Sequence, residues 1–307
     1  MALKALTIFC GLGALALCSG QPADRFFRTR ADYLSAVNGR PAETRFGRTR
    51  TNNGRDSRPA QFSRYGRNNE RFDNNGRFDN DDYPDETIRF QVGRRYNLRL
   101  LYFPLYFRAE FLKWMLNYSN MPYQEVTISN ADWERTEKAK QPYGILPVLE
   151  VNGRKLTQSL AIARVVGKLT GLHFKQCGDD FEQATLNMHA YSFQDFVTDL
   201  GNTGLLAAMV FQPNPDRVRR IAQQLETEIG PPYFAVLEER LNQQGSGFFS
   251  CRPTWLDFFV GEWLSRLQEK VNPQLLRNFP ALRDHSRRMR NLPALQRYLR
   301  SRPERPM

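Results

Sequence analysis

Cysteine and histidine are scarce, with four of the former and three of the latter in 307 residues. Cys10 and Cys18 fall near the N-terminus, which leaves Cys177 and Cys251 for the rest of the chain. That is too few for a disulfide-stapled scaffold. Two readings stay open for the remaining pair: a single bridge, or two thiols packed as small apolar side chains. There is no CxxC, and His173, His189 and His285 are scattered, so neither a zinc nor a dithiol redox motif is indicated and no metal is expected. Long apolar runs are missing too. The one candidate, "MALKALTIFCGLGALALCSG" at 1–20, is short for a bilayer span. Its early lysine, apolar stretch and small Ser19-Gly20 are laid out as a secretory signal peptide cleaved near Gly20. The expectation is therefore a secreted protein without a transmembrane span.

Residues 21–95 lack lysine altogether and have few aliphatic side chains, while arginine and asparagine abound. Such a segment cannot bury enough apolar area to offset its ordering entropy, so it is expected to be disordered. A weak repeat runs through it, "RFDNNG" followed at once by "RFDN". It reads as a spacer, as an adhesive for polyanions through arginine forks and aromatic rings, or as a processed precursor segment. The third reading rests on "RFGR" and on "GRR" just ahead of residue 96.

From residue 96 the composition is that of a folded chain. "NLRLLYF" is a compact apolar strand, "AEFLKWMLNY" has helical spacing, and "YQEVTI" alternates as a second strand. "PVLEV" and "KLTQ" flank Asn152-Gly153, a strong two-residue hairpin signal. "SLAIARVVGKLTG" follows as a helix with Ser159 near its start and Gly171 at its end. The order βαβ then ββα makes a four-stranded sheet with helices on it, over 96–172. After 178 no good strand candidate remains. "FEQATLNMHAYSFQDFVTDLGNTG", the run from Arg217 to Leu241, "TWLDFFVGEWLSRLQEK" and "PALQRYLRS" are helical, giving an all-α domain over 178–303. Thr254 and Asp257 form a capping-box pattern ahead of the most apolar helix.

Pro147 opens an apolar strand, and Gln158-Ser159 opens a helix; a proline there and a polar helix start together suggest a ligand site. With these pieces in order, residues 96–303 resemble the glutathione transferases, and among them the sigma class, which includes the haematopoietic prostaglandin D synthases and the S-crystallins. "LYFPLYFRAE", "ADWERTEKAKQPYGILPVLEVNGRKLTQSLAIAR", "QDF", "TWLDF" and "LPALQRYLRSRP" carry the resemblance. It implies a thioredoxin-like N-terminal domain, an all-α C-terminal domain and glutathione as co-substrate.

By the same resemblance, Tyr102 is the catalytic tyrosine that hydrogen-bonds the glutathione sulfur, with Arg108 adding positive charge. Leu146, ahead of a cis Pro147, pairs with the extended peptide. Gln158 and Ser159 receive its γ-glutamyl end, Trp133 and Lys138 its glycyl end. Asp195 reaches across a homodimer interface to the γ-glutamyl amine. There are departures. Tyr106-Phe107 stands where the family usually has Arg-Gly, in a loop over the active site, so the loop path or the electrophile pocket is expected to differ. Tyr191 and Gln194 break the acidic cluster linked to divalent ions in the prostaglandin synthases, which argues against prostaglandin isomerisation. Two functions stay open: a secreted transferase acting on small hydrophobic electrophiles, and a non-catalytic, crystallin-like binding or structural protein.

Overall fold

The computed structural model describes residues 95–174 and 178–307; the expected signal peptide and basic extension lie outside them, as does Cys177. Four strands, β1 (Leu98–Tyr102), β2 (Gln124–Thr127), β3 (Val148–Val151) and β4 (Arg154–Thr157), form one sheet in the order β2-β1-β3-β4. β1 and β2 are parallel, whereas β3 is antiparallel to both β1 and β4. β1 is covered on both faces, which is why LRLLY is apolar without strict alternation. The β3–β4 turn falls on Asn152-Gly153, with φ of 50° and 85°, the left-handed pair a tight hairpin needs.

Helix α1 (Glu110–Tyr118) joins β1 to β2, and α2 (Ser159–Thr170) follows β4, ending on Gly171 at φ 75°. The remaining α-helices of more than one turn are α3 (Asp180–Asn202), α4 (Pro215–Gln224), α5 (Pro231–Gln244), α6 (Trp255–Lys270), α7 (Pro280–Arg290) and α8 (Pro293–Ser301). Among the described residues no strand lies beyond 157. The run from Arg217 to Leu241 is two helices rather than one. Pro231 and Pro232 cannot continue a helix from the preceding turn, so α5 restarts with proline in its first turn. α7 was not anticipated, because only Leu282, His285, Ser286 and Met289 of its arginine-rich sequence are buried.

α6 is the central helix, buried from Trp255 to Leu267 and packed against α1, α2, α3 and α7. Its start is fixed by the capping box. The Asp257 carboxylate accepts from the Thr254 N–H at 2.8 Å and the Phe249 N–H at 2.9 Å, and meets His285 Nε2 at 3.0 Å. The sheet half and the helical half are joined through this helix. The Trp255 N–H donates to Leu172 O at 2.9 Å, and Phe111 meets Phe259 at 4.8 Å between ring centres. Each such ring removed from water contributes about 1.5–3 kcal/mol.

Candidate active site

The strand registers place the anticipated residues at one edge of the sheet. Tyr102 pairs with Thr127, Leu101 with Val148, and Val148 with Thr157. The ends of β1, β2 and β4 and the start of β3 therefore meet there. Tyr102, Leu146-Pro147 and Gln158-Ser159 leave the sheet at this edge, and Trp133 and Lys138 lie on the turns that follow β2.

On the peptide-binding side, the Leu146–Pro147 bond is cis and the Pro147 carbonyl accepts from the Thr157 hydroxyl at 3.1 Å. Leu146 itself has no backbone partner among the described residues, so its N–H and C=O form an open edge for an extended chain. Gln158 stands ahead of α2 at φ 70° and leaves the helix without a side-chain cap. The first amides of a twelve-residue helix are thus free to receive a carboxylate, beside the buried Ser159. Trp133 is 2% exposed, edge-on to Phe103 at 5.7 Å, and its indole N–H has no partner among the described residues. Lys138 has no ion-pair partner among them either; its stem lies over Gly144, where a Cβ would sit 3.3 Å from Lys138 Cγ. An orphan donor and an unpaired cation on adjoining turns fit an anionic peptide terminus.

On the other side, Tyr102 is 3% exposed and its hydroxyl oxygen accepts from the Arg108 N–H at 3.1 Å. Burial pushes the phenol above its ordinary value, against the downward pull of the Arg108 N–H bond and of the Arg108 and Arg266 charges. Tyr102 is therefore a neutral donor at neutral pH, with one lone pair occupied and its proton directed elsewhere. Arg108 acts on Tyr102 through its charge and also through its backbone N–H, while its guanidinium lies 5.7 Å from the Phe107 ring centre.

Tyr106 and Phe107 are both buried within the loop. Tyr106 is 4% exposed, and its hydroxyl donates to Pro303 O at 2.8 Å. Phe107 is equally buried, edge-on to Trp263 at 5.0 Å, and its carbonyl accepts from Arg266 Nη2 at 3.2 Å. Both rings anchor the loop to the helical domain, through Pro303 and Trp263. Arg266, bound to the Glu262 carboxylate at 2.7 and 3.0 Å, was missed in the sequence; its only signal was a Glu–Arg pair four residues apart on an apolar helix. Asp195 is exposed on α3, and within one chain no contact brings it to the sheet edge among the described residues.

A thioredoxin-like sheet with an open backbone edge, a buried tyrosine at its rim and an all-helical domain packed on it define a two-domain protein whose cleft can take an extended chain. The family description "Glutathione S-transferase, N-terminal domain" matches residues 109–172, and "Glutathione S-transferase, C-terminal domain" matches 202–302. Rat hematopoietic prostaglandin D synthase is 30% identical over 208 residues, 68% of this chain and 98% of that protein. A probable glutathione S-transferase of Caenorhabditis elegans is 29% identical over 213 residues, 68% and 98% of the two chains. Among solved structures, a monomeric glutathione S-transferase from the hookworm Necator americanus superposes with a TM-score of 0.61 at 28% identity, covering 68% of this chain and 98% of its own. The chain belongs to the glutathione S-transferase family.

Proposed function

We propose that this protein is a secreted glutathione S-transferase that joins the glutathione sulfur to small hydrophobic electrophiles. The observation that carries this is Tyr102: buried, kept protonated, and held by the Arg108 N–H so that its own proton is available to a sulfur. The thiol proton leaves to solvent. The thiolate, stabilised by the Tyr102 hydroxyl, attacks the electrophilic carbon, a C–S bond forms, and the leaving group departs with its electron pair. Leu146 pairs with the cysteinyl backbone, Gln158, Ser159 and the α2 N-terminus hold the γ-glutamyl carboxylate, and Trp133 and Lys138 hold the glycyl carboxylate. The burial of Tyr106 and Phe107 against Pro303, Trp263 and Arg266 favours this reading over a non-catalytic one, because both rings are engaged in packing the loop.

Three further elements belong to the proposal. Secretion is supported by the layout of residues 1–20 and by the disulfide at Cys251, a bond suited to an oxidising compartment. A homodimer is supported by a stripe on α3, where Phe181, Met188 and Tyr191 are 80%, 56% and 55% exposed with Asp195 continuing the same spacing. Polyanion binding is assigned to the arginine-rich segment 21–95 on its composition alone. Retention on immobilised glutathione, with turnover of a general aromatic electrophile, tests the function. Neither retention nor turnover would leave the crystallin-like reading. Asp195→Ala is expected to weaken glutathione binding with the dimer intact by light scattering; a monomer that binds glutathione normally would remove the dimer from the account.

A further inference from the structure

The loop from Phe103 to Ala109 carries the N–H that sets the Tyr102 hydroxyl. It is braced locally, by the Leu105 N–H to Phe103 O at 2.7 Å and the Glu110 N–H to Tyr106 O at 3.0 Å, and by Arg266 at Phe107 O. A further set of tethers comes from residues far away in sequence. Tyr106 donates its hydroxyl to Pro303 O at 2.8 Å and its backbone N–H to Pro306 O at 3.1 Å. The Arg302 guanidinium lies over the Tyr106 ring at 4.4 Å. The segment making these contacts is itself fixed at both ends. Arg302 Nη1 binds Glu110 Oε1 at 2.6 Å, with Glu110 fully buried, and Arg305 pairs with Glu125, whose carboxylate also takes Lys113 Nζ at 2.7 Å. Met307 is 2% exposed. Residues 302–307 thus form a strap across the loop, with Tyr106 as its buckle.

The consequence concerns the reacting group. A lone phenol hydroxyl rotates freely; the Arg108 N–H, two residues beyond Tyr106, takes one of its lone pairs and so limits where its proton can point. That N–H is in place only while the loop keeps its path. We propose that residues 302–307 and Tyr106 are positioning residues for thiol activation, so that glutathione ionisation, and not glutathione binding, depends on the C-terminal segment. The inference rests on the reading of Tyr102 given under the proposed function. It assigns a role to Tyr106 that the local sequence does not reveal, and among the described residues no hydrogen bond or ion pair joins residues 302–307 to Leu146, Pro147, Gln158 or Ser159.

The test is an ultraviolet titration of the glutathione thiolate bound to the full chain, alongside the kinetics of conjugation. Tyr106→Phe removes the hydroxyl bond to Pro303 and keeps the backbone bond to Pro306. A chain stopped after Arg302 loses both acceptors but keeps the Glu110–Arg302 pair. The thiol midpoint is expected to rise in both, with kcat at neutral pH falling by about threefold in the first and about tenfold in the second. Glutathione affinity is expected to stay within about twofold, the split that separates positioning from binding. Leu282→Ala, in the fully buried face of α7, calibrates general loosening: it should lower Tm without moving the thiol midpoint. If the shortened chain fails to fold, Tyr106→Phe decides alone. An unchanged midpoint in the variants, or an equal rise in Leu282→Ala, overturns the strap while leaving the proposed function standing. A wild type that binds glutathione without lowering its thiol pKa overturns the role of Tyr102, and the strap with it.

Discussion

The two sides of the cleft are held in opposite ways. The peptide-binding side is local: its cis bond, its hairpin and its helix start lie on one continuous stretch, and the Thr157–Pro147 bond that braces it spans ten residues. The thiol side is assembled from afar, with Tyr106 reaching Pro303 across 197 positions and Arg266 reaching Phe107 across 159. Binding geometry is therefore built into one supersecondary unit, while the ionising group depends on the packing of the whole domain. Affinity for glutathione and reactivity of its sulfur should be separable by mutation.

The largest expected effect breaks the thiol side. Glu110 is fully buried and takes the Tyr298 hydroxyl at 2.9 Å and Arg302 at 2.6 Å, with Lys113 at 3.8 Å from its second oxygen. Glu110→Ala leaves the largely buried Arg302 without its carboxylate and the Tyr298 hydroxyl without its acceptor, while Lys113 keeps Glu125, and should cost about 3 kcal/mol of stability. Thermal unfolding should show the loss, and activity at permissive temperature should fall more than glutathione affinity. Equal falls in both would mean the two sides are not independent.

A smaller effect separates acid loss of the fold from loss of thiol ionisation. His189, 6% exposed on α3, is pushed from 6.5 down to about 4, chiefly by burial and then by the Arg240 charge. Above 6.5 the imidazole is neutral in both folded and unfolded chains, so it adds no pH dependence there. As pH falls from 6.5 towards 4 the unfolded chain takes up a proton that the folded one refuses, and stability drops by at most about 3 kcal/mol. His189→Gln should flatten that limb of a stability–pH curve measured by denaturant titration and leave the thiol midpoint where it was.

The smallest expected effect sharpens the peptide-binding side. Gln158 is held at φ 70°, a conformation that disfavours any side chain. Gln158→Gly should raise stability by up to about 1 kcal/mol while weakening glutathione by about tenfold, as the strain is retained for its contact with the ligand. A variant that is stabilised and binds as well as wild type would make the strain incidental.

The same contrast explains what could be read in advance. Pro147, Asn152-Gly153, Gln158-Ser159 and Gly171 each announce a backbone event that the neighbouring residues enforce, so this side of the cleft was legible one motif at a time. Thr254 and Asp257 did the same for α6. Tyr106 and Phe107 offered no such signal. An aromatic pair in a loop looks the same whether it lines a pocket or anchors the loop to the helical domain, and the deciding partners, Pro303, Trp263 and Arg266, are contributed by tertiary packing. The division of the 217–241 run was legible in principle, since Gly230-Pro231-Pro232 is a helix break followed by a helix start. α7 was hidden because only two of its buried residues, Leu282 and Met289, are apolar, so arginines mask the period.

The most direct test of the account is the ionisation of bound glutathione in wild type and in Tyr102→Phe. A free thiol titrates near ~8.5, so a single strong donor should bring the bound midpoint down by about one to two units. In the wild type the thiolate absorbance should therefore be well developed at neutral pH. In Tyr102→Phe the midpoint should return towards the free value, conjugation should slow by about ten- to a hundredfold, and the glutathione dissociation constant should barely change. A Tyr102→Phe chain with the wild-type midpoint and the wild-type rate would contradict the account.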